Sequence, residues 1–173
     1  DTVTATANVM HWGVIPYELM HGGTQCDVAA NLQDVSCGPA AQVQAAHPGV
    51  FYPPAWLTVV SSMFMHGGLM HLLGNMLFLF VFGRGVEDAL GRLNYVLFYV
   101  VGGLAAVFAQ VMWDSESMVP MVGASGAIAA VLAAYVVLFP SARVLSLFII
   151  FPVKPRAFWV IGTEYFRLLE SQA

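Results

Sequence analysis

The amino-acid sequence predicts an all-α, polytopic transmembrane helix bundle, and two observations carry that expectation. Charged residues make up only 9% of the 173-residue chain, against 59% hydrophobic residues. A soluble domain carries about 25% charged residues, so there are too few charges here to clothe a water-facing surface. In addition, residues 57–83, 93–113 and 121–142 contain no Lys, Arg, Asp or Glu. Each stretch is close to the roughly 20 residues with which an α-helix crosses a bilayer. One such run fits the buried helix of a soluble protein, but three in so short a chain argue against it. The expected partner is therefore the lipid bilayer. The net charge is −4 and there is no basic stripe, so nothing points to nucleic acid. No cofactor or metal is implied.

Two regions are expected, 1–53 and 54–173. Residues 1–9 are polar and lack the basic start of a signal peptide. Residues 8–20 mix apolar and turn-forming side chains around Pro16. The stretch from Gly22 to Pro54 is rich in Gly, Pro, Ala, Gln and Asn, and reads as an irregular loop with short helices. It holds both cysteines, Cys26 and Cys37. An oxidising compartment lets them pair; free thiols or a metal site are the alternatives. His21 and His47 do not complete a recognised zinc spacing.

Three helices follow. The first is expected from about Pro54 to Phe82, with its membrane core from His66 onward. The second runs from Leu93 to Trp113. The third runs from Gly123 to Phe139 and stops at Pro140, which cannot continue a helix. A further apolar segment, VLSLFIIF at 144–151, is interrupted by PVKPR before AFWVIGTEYFRLLE. It reads as a broken or truncated further helix: half a span, a re-entrant piece or an interfacial helix.

The basic residues set an orientation. None occurs in the first 83 residues; Arg84 and Arg92 flank the first connection, and Arg143, Lys154 and Arg156 follow the third helix. The connection at 113–120 has acids but no bases. Cytoplasmic loops carry the excess of Lys and Arg, so 83–93 and 140–156 are expected in the cytoplasm, with 1–56 and 113–120 outside.

Polar groups inside a span are costly and mark function. His71 and Asn75 are four residues apart, so they share one face of the first helix. Both can donate hydrogen bonds, which suits a developing oxyanion; interhelical glue is the alternative. Ser125 sits between glycines in Gly123-Ala124-Ser125-Gly126, where a helix opens and backbone N–H groups are free. The same small residues also serve close helix packing. Ser125 and the His71–Asn75 face fall in the same outer leaflet, so a hydroxyl can meet two donors.

These residues, in order, resemble the rhomboid family of intramembrane serine proteases. His66-Gly-Gly-Leu-Met-His71-Leu-Leu-Gly-Asn75 resembles the second-helix motif. Phe82-Gly83 through Val86-Glu87 and Leu90-Gly91 resembles the connection after it. Tyr99 with Gly102-Gly103 resembles the third helix, and Gly123-Ala124-Ser125-Gly126 the GxSG nucleophile motif. The resemblance covers about residues 54–160, with a weaker echo at Pro16-Tyr17-Glu18. It implies that Ser125 is the nucleophile and that His71, Asn75 and the Ser125 N–H stabilise the oxyanion. His66, Gly123, Gly126 and Glu87 would be structural parts of the motifs, Glu87 through hydrogen bonds at the connection. It implies an intramembrane endopeptidase acting on transmembrane protein substrates; the alternative is an inactive rhomboid-like protein that binds such clients. Three departures stand out, and one is that the family's first helix is mostly missing, only its outer end resembling residues 8–18. The family's general-base histidine lies on a sixth helix, expected beyond Ala173, and no histidine follows Ser125 in this sequence. Thr58 stands where many members carry Arg in the outer loop.

Overall fold

The computed structural model describes residues 8–28, 35–142, 146–148 and 151–153. Helices dominate. After a helical turn over 8–12 (α1) come α2 (Pro16–Met20), the strands β1 (Thr24–Val28) and β2 (Val35–Pro39), α3 (Ala40–Ala46) and α4 (Ala55–Ser61). Three apolar helices follow: α5 (Leu69–Leu90), α6 (Arg92–Trp113) and α7 (Ser125–Leu138).

The first long helix departs from its expected bounds. Instead of running from Pro54 to Phe82, the chain forms the separate short α4, turns at 62–64, and starts α5 only at Leu69. Gly67 and Gly68 explain the late start, because glycine is a poor helix former and Gly68 is extended, with φ 169°. At the other end the helix continues through a π-helical turn at Leu79–Gly83 to Leu90. It stops at Gly91, whose φ of 80° is a left-handed conformation that glycine adopts freely. Most of the expected connection at 83–93 is therefore helical.

α5 and α6 have 22 residues each. At 1.5 Å per residue that is about 33 Å, the thickness of a bilayer core. α7 is shorter, 14 residues, or about 21 Å. On α6, Leu93, Leu97, Val101, Phe108 and Met112 are each more than half exposed. So continuous an apolar face suits lipid rather than water. Of the further apolar segment, the described parts are two short antiparallel strands, β3 (Ser146–Phe148) and β4 (Phe151–Val153), where the sequence suggests a broken helix. Pro152 lacks the N–H that an α-helix interior needs. Residues 154–173, which carry the rest of that expectation, lie outside the described residues.

Small residues bring α6 and α7 together. A methyl placed on Gly102 would lie 2.6 Å from Ala130 Cβ, and one on Gly126 would lie 2.5 Å from Ala106 Cβ. Neither gap admits a side chain, so the two backbones touch. In lipid, where the hydrophobic effect between helices vanishes, such contact is what holds helices together. Val131 and Ala127 are fully enclosed beside this seam.

Within the stretch expected as an irregular loop with short helices, α3 is such a helix and 47–54 is irregular, but residues 24–28 and 35–39 are paired strands. β1 and β2 form an antiparallel hairpin in which Cys26 lies opposite Cys37, and the two are joined as a disulfide. Their Cα atoms are 4.0 Å apart, the close spacing of a non-hydrogen-bonded pair. At such a position the Cys26 N–H points away from β2. It donates instead to the buried Glu18 carboxylate on α2, at 2.6 Å. Met10, Ile15 and Cys26 form a small core beneath. Asp27 ties the far end, facing His11 Nε2 at 3.6 Å and His47 Nδ1 at 3.2 Å and accepting a hydrogen bond from the Tyr52 hydroxyl. Burial, and then Asp27 itself, pushes the Tyr52 hydroxyl well above its ordinary range.

Two measurements check this packing. Gly102→Leu is expected to destabilise the bundle by about 1–3 kcal/mol, the cost of overpacking, read by denaturant titration of the reconstituted protein. Burial raises the Glu18 carboxyl above its ordinary 4.5, so folding disfavours its ionised form. Wild type is then expected to gain stability relative to Glu18→Gln as pH falls, fully so below 4.5, and to lose that gain as pH rises through the raised value. Unfolding curves of both proteins between acid and neutral pH read the difference.

Candidate active site

α5 carries His71 and Asn75 on one face. Gly67 N–H donates to His71 Nδ1 at 3.4 Å. That bond assigns the proton of the neutral ring to Nε2, which becomes a donor. Asn75 is buried, with 7% exposure, and its Nδ2 has no hydrogen-bond partner among the described residues. A buried amide donor without a partner costs about 1–3 kcal/mol, so its retention calls for an explanation in function.

Both side chains converge on Gly123. A methyl placed there would lie 2.8 Å from His71 Nε2 and 3.7 Å from Asn75 Nδ2. Gly123 also has φ 111°, a conformation that side-chain-bearing residues rarely adopt. Shape and backbone each require glycine at this position. Gly123 N–H is fixed by Ser62 O at 2.8 Å.

Two residues later Ser125 begins α7, after Ala124 as N-cap with no side-chain capping bond. The first N–H groups of a helix lack intrahelical partners, so those around Ser125 are open to an acceptor. Gly126, pressed on Ala106, allows the Ser125 turn to sit directly on α6. Ser125 is exposed to a cavity of about 780 Å³ that His71 and Gly123 also line. The cavity thus holds a hydroxyl, an imidazole N–H and helix-start amides, with the Asn75 amide behind Gly123. This set can receive a carbonyl carbon at the hydroxyl and hold negative charge on its oxygen.

The other singled-out residues are more peripheral. His66 packs edge-on against His71, with ring centroids 5.4 Å apart, and its Nδ1 meets Phe64 O at 3.1 Å. Glu87 faces Arg92 Nε at 3.8 Å, an exposed pair worth little in stability; its backbone carbonyl accepts from Gly91 N–H at 2.7 Å. Thr58 is buried and donates to Ala55 O at 2.8 Å, so it makes a local bond where Arg would reach outward. Cys26 and Cys37 lie in the hairpin, away from the cavity. Among the described residues, no group of three or more His, Cys, Asp or Glu side chains is disposed to hold a metal ion.

Sequence reasoning missed Gln110, Asp114 and Ser117, which line the same cavity. Gln110 had a signal: it is a polar residue inside an otherwise apolar span. It also missed Ser62, whose role lies in its main-chain carbonyl and leaves no trace in residue type.

A helix bundle with a serine at a glycine-flanked helix start, faced by a His–Asn pair, defines a class before any comparison. Residues 53–172, more than half of the chain, match the Rhomboid domain family. The chain belongs to the rhomboid family, and it is an integral membrane protein. It is 32% identical over 113 residues to rhomboid protein 1, mitochondrial, of Saccharomyces cerevisiae, covering 63% of this chain and 32% of that one. It is 34% identical over 95 residues to rhomboid protease AarA of Providencia stuartii, covering 47% and 34%. It is 34% identical over 76 residues to RHOMBOID-like protein 5 of Arabidopsis thaliana, covering 44% and 25%. The matches therefore span about a quarter to a third of each relative's own length. No solved structure matches the chain significantly.

The unpartnered Asn75 amide yields a stability test. Asn75→Leu removes no protein hydrogen bond and relieves a buried donor, so the variant is expected to unfold at or above the wild-type midpoint. A loss of more than about 1 kcal/mol, the worth of an ordinary hydrogen bond, would show that Asn75 is structural glue.

Proposed function

We propose that this chain supplies the nucleophile and oxyanion-stabilising half of an intramembrane serine endopeptidase. The observation that carries the reading is the seating of Gly123 against His71 and Asn75, beside the cavity that His71, Gly123 and Ser125 line. The family match supports it, since the family includes a rhomboid protease among the relatives above.

The chemistry is acyl transfer. Ser125 Oγ forms a bond to the scissile carbonyl carbon while its proton passes to a general base. The carbonyl oxygen gains the negative charge and is held by His71 Nε2, Asn75 Nδ2 and the Ser125 N–H. Collapse breaks the C–N bond, the leaving amine takes the proton, and water then hydrolyses the acyl-serine by the reverse path. The base is a histidine on a later helix, as the family resemblance implies. No histidine follows Ser125 within these 173 residues, and a serine without a base is a poor nucleophile. Residues 83–93 and 140–156 face the cytoplasm and 1–56 and 113–120 the opposite side, by the distribution of Lys and Arg. The cavity then opens toward the outer leaflet, and the substrates are transmembrane segments entering from the bilayer.

Two measurements test the reading on the full-length protein. A fluorophosphonate probe is expected to modify Ser125, mapped by mass spectrometry, and Ser125→Ala to abolish the signal. His71→Ala and Asn75→Ala are each expected to lower kcat by about 10²–10³, the worth of an oxyanion donor, with KM little changed. Absence of Ser125 modification in a correctly folded preparation would leave client binding without hydrolysis as the function.

A further inference from the structure

The loop that delivers Ser125 is held from its far side by the N-terminal region. Loop 114–124 joins α6 to α7 and contributes Ser117, Met121 and Gly123 to the cavity wall. Besides the Gly123 bond to Ser62, its main chain is anchored twice more. Tyr17 N–H donates to Ser117 O at 3.0 Å, and Val14 and Met121 exchange two bonds, at 3.1 and 2.8 Å. Both anchors belong to segment 14–17, at the start of α2.

α2 has only five residues, too few to stand as a helix alone, because nucleation costs more than one turn returns. Pro16 presets its first turn. It meets the hairpin through the Ile15–Cys26 packing and through Glu18, whose 6% exposed carboxylate accepts the Cys26 N–H at 2.6 Å. Cys26 is in turn locked to Cys37. A contiguous chain of covalent and hydrogen bonds thus runs from the disulfide through Glu18 and α2 to the main chain of 117–121. Such a chain is a physical route for coupling. Glu18 itself does not line the cavity.

We propose that Glu18 is a positioning residue for Ser125, acting through α2 and the main-chain bonds of Val14 and Tyr17 to the loop before α7, and that the Cys26–Cys37 disulfide makes this positioning redox-sensitive. The proposal rests on the reading of Ser125 as a nucleophile. Removing the carboxylate leaves the Cys26 N–H without its partner and loosens α2 against the hairpin, with the Ile15–Cys26 packing left as their remaining contact. Ser117 and Met121 shift with α2, and the Ser125 turn shifts with them. Reducing the disulfide loosens the same hairpin from its other strand. The bridge takes up two electrons and two protons from an added thiol reductant, leaving two free cysteines.

The test uses the full-length protein in bilayer nanodiscs, below its unfolding temperature, and follows the rate at which a fluorophosphonate modifies Ser125. Glu18→Ala is expected to slow that rate by about 10- to 100-fold, the scale of a small misplacement of a reacting group. Glu18→Gln, which keeps the acceptor oxygen, is expected to restore it. With a transmembrane substrate, kcat falls and KM holds. Dithiothreitol is expected to slow wild-type labelling, and reoxidation to restore it; this series decides the matter if Glu18→Ala does not fold. A Glu18→Ala protein with a lower Tm but the wild-type labelling rate, or labelling indifferent to reduction, would overturn the proposal while leaving Ser125 as nucleophile. Failure of wild type to label would overturn both.

Discussion

The contact between the His71 ring and the backbone at Gly123 governs the arrangement of this protein's candidate site. It is possible only because Gly123 has no side chain and adopts φ 111°. It brings α5, the span that carries His71 and Asn75, against the turn that opens α7. A serine at a helix start and an imidazole line one cavity, with a buried amide behind Gly123. Preorganised donors of this kind are effective because they need no rearrangement when charge develops. Asn75 Nδ2 has no hydrogen-bond partner among the described residues, and under the proposed function it is a donor for the acceptor that arrives with substrate.

The rest of the fold maintains that contact from two sides. On one side, α6 and α7 touch through Gly102, Ala106, Gly126 and Ala130, which fixes the depth of the Ser125 turn. On the other, the N-terminal region bonds to loop 114–124 by main-chain hydrogen bonds. These two supports obey different physics. The helix seam depends on close backbone approach in lipid. The N-terminal region has its own small core, a disulfide and a buried carboxylate, the devices of a small water-exposed unit. Between them α4 presents Trp56 and Val60, with Phe64 just beyond, as exposed apolar side chains spaced four apart. Tryptophan in that setting favours the membrane–water boundary.

Much of this was legible in the sequence, and the limits have physical reasons. Membrane character followed from the scarcity of charge. The end of α6 at Trp113 and the body of α7 followed from apolar runs closed by acids or proline. The pairing of His71 with Asn75 followed from helical spacing, and their approach to the glycine-rich turn from the shared leaflet. The start of α5 was misjudged because an unbroken apolar run hides a break that only Gly67 and Gly68 encode. The extension of α5 past Gly83 was missed because Arg84, Glu87 and Asp88 look like a loop, yet Arg84 and Glu87 are good helix formers. The hairpin was hidden because its register depends on which cysteine faces which. Residue type also says nothing about the main-chain bonds from Val14, Tyr17 and Ser62, which carry the loop before Ser125.

The central claim, that a reacting oxygen at Ser125 is held by His71 and Asn75, is tested most directly by a structure of the protein after phosphonylation of Ser125. The account predicts the phosphonyl oxygen about 2.7–3.1 Å from His71 Nε2, Asn75 Nδ2 and the Ser125 N–H, with the Asn75 amide no longer unpartnered. A phosphonyl oxygen turned away from α5, with both side chains unmoved and unbonded, would contradict it.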